Sequence, residues 1–125
     1  MKRNLIAIVF LFFVTGFGAC TSSVELNRNP SQIIYTKHAR CRMSCRHINQ
    51  TEVMEILKDG EINYRKSELN NKDCYKKFAI EGFTKEHQHL RIIFAPCEDE
   101  EVVVTVIDLG NEWSCDCDWT CKKDI

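Results

Sequence analysis

Eight cysteines among 125 residues are the groups in this chain best equipped for chemistry. A thiol can bridge to another thiol, hold a metal as thiolate, or carry a lipid. Cys41 and Cys45 are four apart, so a helix presents them on one face. Cys115 and Cys117 are two apart, so an extended segment presents them on one side. Two such pairs facing each other have two solutions: a pair of disulfides fastening the tail to the helix, or a Cys₄ zinc site. Cys-x-Cys and Cys-x₃-Cys are unusual zinc spacings, and export favours oxidation, so disulfides are expected. His38, Cys41 and Cys45 also form an H-x₂-C-x₃-C set that would suit a metal if the thiols stayed reduced. No cofactor is expected.

Cys74 and Cys97 flank two strand-like runs joined by the polar segment Thr84 to His87. Folding those runs as a hairpin places the two cysteines opposite each other, at a separation a disulfide spans. Cys20 follows Gly18-Ala19 at the end of an apolar run, Leu5 to Phe17, that is preceded by Lys2 and Arg3. The run is short for a membrane-spanning helix and fits a secretory leader. A Cys directly after small residues resembles the bacterial lipobox, in which it is lipidated. Phe17 departs from the usual small aliphatic residue there, and an ordinary leader or an uncleaved anchor is the alternative. With Cys20 lipidated and six cysteines bridged, Cys121 is left over.

The chain must supply elements that hold these groups. Residues 1–19 read as a leader, 20–31 as a lipidated start and polar tether, 32–121 as one domain and 122–125 as a tail. Thr36 is placed to cap a helix over Lys37 to His47. Asn49 with Glu52 forms a capping box for a second helix, in which Val53, Ile56 and Leu57 face the core. Gly60 ends it, free to take a left-handed cap. Strand-like runs follow over Glu61–Ser67, Cys74–Gly82, His89–Cys97 and Val102–Leu109. Glu98 to Glu101 lacks the alternation of a calcium loop and reads as a solvated hairpin tip. The expected fold is α+β, with two N-terminal helices packed on a four-stranded antiparallel meander (α-α-β-β-β-β).

Several of these runs also resemble a known family. Tyr35 to Met43, Ile48, Glu52-Val53, Gly60, Lys66-Ser67, Gly82, Leu90-Arg91-Ile92 and Val103-Val104-Thr105 are similar, in order and spacing, to the bacterial family of domain of unknown function 4258. The resemblance implies a fold related to RelE-like and barnase-like ribonucleases. It carries candidate catalytic roles onto His38 as acid or base and onto Lys66 and Arg91 as phosphate ligands, with Thr105 weaker. Such ribonucleases need no metal.

The bland reading of each is a helix-start histidine and solvated strand cations. Lys37, Arg40, Arg42 and Arg46 make the first helix locally basic, a patch for an anionic or acidic protein partner. Without Lys2 and Arg3 the chain carries 15 basic and 18 acidic residues, a net of −3. That balance, and the lack of aromatics interleaved with the basic residues, make nucleic acid an unexpected partner. The sequence therefore points to an exported, lipid-anchored, disulfide-stabilised domain facing the periplasm or cell surface. Its expected role is binding or envelope structure. A metal-independent ribonuclease and a zinc-stabilised interaction module are the alternatives.

Overall fold

The structure, a computed structural model, describes residues 25–117. The expected leader, Cys20 and Cys121 lie outside those residues. Strand β1 (Gln32–Tyr35) comes first, then helices α1 (Lys37–Cys45) and α2 (Gln50–Asp59). Strand β2 (Glu61–Ile62), a 3₁₀ turn (Tyr64–Lys66), and strands β3 (Phe78–Phe83), β4 (His89–Cys97) and β5 (Glu100–Asp108) follow. The five strands form one mixed sheet in the order β1-β5-β4-β3-β2. The α+β class stands, with two helices. The expected four-stranded antiparallel meander is corrected, because β1 adds a fifth strand, runs parallel to β5 and precedes the helices.

Both helices lie on one face of the sheet. Thr36 caps α1, its Oγ1 accepting from the Ala39 amide, and donates to the Val104 carbonyl, so the helix start is pinned to β5. Ala39 and Met43 face the core. On α2 the capping box forms as expected, with Asn49 and Glu52 each accepting from the other's backbone amide. Val53, Ile56 and Leu57 are fully buried against Leu90, Ile92 and Phe94 of β4 and Ile80 of β3. Each such side chain contributes about 1.5–3 kcal/mol of burial. Arg28 closes the far end of α2 by donating to the carbonyls of Leu57, Lys58 and Gly60.

Gly60 ends α2 for a reason other than the one expected. Its φ is −72°, so it takes no left-handed cap. A Cβ there would sit 2.5 Å from the Ile56 carbonyl oxygen and 2.6 Å from Ile80 Cγ2. The residue is small because helix and sheet meet at that point. Gly60→Ala is expected to lower stability by about 1–3 kcal/mol in chemical denaturation, the range for overpacked sites.

The run Glu61–Ser67 is also corrected. Asn63 accepts from the Lys66 amide and turns the chain into the 3₁₀ turn after two strand residues. Cys74 lies in a turn rather than in a strand, and the β3–β4 register is one residue from that expected, with Phe83 opposite His89. The acidic run is corrected too: Glu98 and Asp99 turn in solvent, but Glu101 is fully buried.

Three disulfides brace this frame: Cys41–Cys117, Cys45–Cys115 and Cys74–Cys97. The thiolates that a Cys₄ zinc site needs are consumed, and so are those of the His38-Cys41-Cys45 set. Asp108, at the end of β5, aims the tail back toward α1. Its carboxylate accepts from the Gly110 and Asn111 amides and from the Trp113 indole at 2.8 Å. Burial pushes its pKa up, but those hydrogen bonds outweigh burial and hold it below the ordinary range. Trp113 then meets His47 edge-on at 5.4 Å. Among the described residues no helix is long and apolar enough to cross a membrane.

Candidate functional site

Period-2 alternation sends the other half of each strand to the sheet face away from the helices. On β3 this half includes Glu81 and Phe83; on β4 it includes His89, Arg91 and Ile93; on β5 it includes Thr105 and Ile107. Here the polar chemistry collects. Arg91 Nε donates to Glu81 Oε1 at 2.6 Å, and Asn63 Nδ2 donates to the same oxygen at 2.9 Å. Burial pushes the Glu81 carboxyl up, but the bonds from Arg91 and Asn63 and the Arg91 charge prevail and keep it below its ordinary value. The pair is a positioned, ionised acid and cation.

One step along the same face, the Phe83 ring stacks on His89, with centroids 4.3 Å apart and planes 9° from parallel. Phe83 is nonetheless 71% exposed, and Tyr64 on the 3₁₀ turn is 68% exposed. Between these rings and the charged pair lies an open cleft of about 730 Å³, bordered also by Asp59, Glu61 and Arg65. That size suits a small ligand or one side chain of a larger one.

The residues proposed from sequence are divided between the two sides of the sheet. Arg91 and Thr105 share the open face, where Thr105 pairs with Ile93 and Arg91 with Ile107. Lys66 is exposed at the end of the 3₁₀ turn that forms the cleft rim. His38 is half-buried in the first turn of α1, in the layer on the other face. The imidazole that the cleft does receive is His89. His89 and Glu81 were readable candidates, since both alternate with core residues, but alternation does not say which face the helices leave open.

On α1, Lys37 and Arg40 are exposed and border a groove of about 530 Å³ against Ser114 and Asp116 of the tail. Arg42 is half-buried. Arg46 is committed to the fold: its Nη1 donates to the Val106 carbonyl, and burial, followed by the Arg42 charge, lowers its pKa.

A family model described as a domain of unknown function, DUF4258, matches residues 35–108. The chain belongs to the DUF4258 family. No curated protein and no solved structure matches it. The DUF4258 match spans β1's last residue through the end of β5, and so contains the cleft's strands and turn. The cysteines of the tail, Cys115 and Cys117, lie beyond the matched DUF4258 segment.

Proposed function

We propose that this is an exported binding domain, anchored through a lipid on Cys20, and that the open-face cleft is where it binds. The observation that carries the reading is the cleft itself: two exposed aromatic surfaces, Tyr64 and the Phe83–His89 stack, beside a charged row on a frame with three disulfides. Such bonds persist in an oxidising compartment, which supports export. Glu81 supports binding over catalysis. An acid held ionised by two hydrogen bonds is a weak proton acceptor at neutral pH. Lys37 and Arg40 on α1, exposed beside the tail groove, form a second surface suited to an anionic or acidic protein partner.

Metal-independent ribonuclease is the second reading, because Glu81, Arg91 and His89 bring an acid, a cation and an imidazole to one face. Its other candidates are His38, Lys66 and Thr105. The deciding experiment incubates the oxidised protein with structured and single-stranded RNA. Cleavage no greater than that of His89→Ala and His38→Ala variants is expected. Clear cleavage abolished by either substitution would overturn the binding reading.

A further inference from the structure

The strand register places Glu61 on β2, Glu81 on β3 and Arg91 on β4 side by side in one row on the open face. Directly opposed side chains on antiparallel strands have Cβ atoms about 4.5–5.5 Å apart, and like charges there are unfavourable. Arg91 is spent on Glu81. Glu61 enters no ion pair among the described residues. Asp59, bordering the same cleft, is the last residue of α2, the helix end at which a negative charge is disfavoured. Asp59 and Glu61 are thus the carboxylates bordering the cleft that form no ion pair among the described residues, and a bound cation would meet them. Counting Asp59, Glu61 and Glu81 against Arg65 and Arg91, one negative charge is left over.

The rings decide what kind of cation. Among the described residues no group of three His, Cys, Asp or Glu could hold a metal ion. Tyr64 and Phe83, the latter with one face stacked on His89, are instead largely exposed aromatic rings, whose free faces attract organic cations. The cleft is open and lies along β2, an edge strand whose outer backbone pairs with no strand among the described residues. An extended chain can add there while one side chain enters the cleft.

Resting on the binding reading above, we infer that the cleft takes a single basic side chain, lysine or arginine, presented by an extended peptide. The ammonium or guanidinium sits between Glu61 and Glu81, against the faces of Tyr64 and Phe83.

The test is a titration of the oxidised protein followed by backbone NMR. The probes are a capped Gly-Ser-Lys-Ser-Gly peptide, the same peptide with norleucine or Glu in place of Lys, free butylamine, and a short oligouridylate. The Lys peptide is expected to shift the signals of Glu61, Tyr64 and Phe83, and to bind about tenfold more tightly than its norleucine and Glu versions, a difference in keeping with one solvent-exposed cation–π contact plus a carboxylate. Glu61→Gln should weaken the Lys peptide about fivefold, of the order of one partly exposed charge contact, and leave the thermal midpoint unchanged or higher, since it removes a like-charge opposition. Butylamine binding as tightly as the peptide would overturn the peptide as source. Oligouridylate or the Glu peptide shifting the same signals more strongly would overturn the ligand class and leave the cleft as a binding site. If no probe moves those signals, both readings fall.

Discussion

Full reduction should unfold this domain at physiological temperature. The cysteines of Cys41–Cys117 and Cys45–Cys115 lie 76 and 70 residues apart, and those of Cys74–Cys97 lie 23 apart. Closing loops of that length is worth about 2–4 kcal/mol each, by restricting the unfolded chain. The two long loops are nested, so the second adds less than the first. Together the three bonds approach the whole stability of a small domain, about 5–15 kcal/mol. Beyond the disulfides, the tail is held by the Trp113 bond to Asp108 of β5, the contact with His47 just past α1, and the buried Cys117. Circular dichroism in excess reductant should show loss of the cooperative transition at 37 °C. The paired Cys41→Ser and Cys117→Ser substitutions should lower the midpoint without abolishing it. A reduced protein that melts where the oxidised one does would mean that the helix–sheet core suffices alone.

The second large effect comes from Glu101 and runs opposite to most carboxylates. The side chain is fully buried on β5; Oε1 accepts from the Asn27 amide, and Oε2 has no partner among the described residues. Burial pushes the carboxyl up to about 7, against the smaller opposing effect of the Asn27 bond. The unfolded chain releases this proton near the ordinary value of 4.5, and the folded one keeps it to about 7. Between those values the native state binds more protons, so this group's contribution to stability falls as pH rises, and levels off above 7. The interval corresponds to about 3 kcal/mol. Glu81 and Asp108, held below their ordinary values, contribute the reverse slope at lower pH. The difference between wild type and a variant isolates Glu101. Glu101→Gln should nearly match wild type at pH 5 and exceed it at pH 8 by about 2–3 kcal/mol in urea denaturation. Parallel pH profiles for the two proteins would refute the buried acid.

Glu101 also shows where sequence reasoning stops. Four acids in a row, Glu98 to Glu101, look like one solvated tip, and two of them turn in solvent. Glu101 is covered because β1 comes alongside β5, setting Ile33 against it in the parallel register. Nothing local in Gln32–Tyr35 announces that distant pairing. Features decided within a few residues were legible: the Thr36 cap, the Asn49–Glu52 capping box and the bounds of β4. The link between the Cys41/Cys45 and Cys115/Cys117 pairs was legible because spacing puts each pair on one face; spacing does not say which cysteine bridges which, nor decide by itself between disulfides and zinc. The Cys74–Cys97 bond forms even though Cys74 lies in a turn with φ of 69° and the hairpin register is shifted by one. Glu61–Ser67 misled because its alternation was real, but Asn63 offered the backbone a competing turn. The cleft was half-legible. Arg91 is a candidate from the sequence, and Glu81, Phe83 and His89 stand in the same alternation, but their meeting depends on which sheet face the helices cover.

The proposed binding domain requires an oxidised, exported chain. The most direct test is the intact mass of the native protein before and after reduction. It should begin at an acylated Cys20, and reduction should add about 6 Da, two hydrogens for each of three disulfides. A mass that reduction leaves unchanged, or one carrying stoichiometric zinc on free thiols, would contradict it.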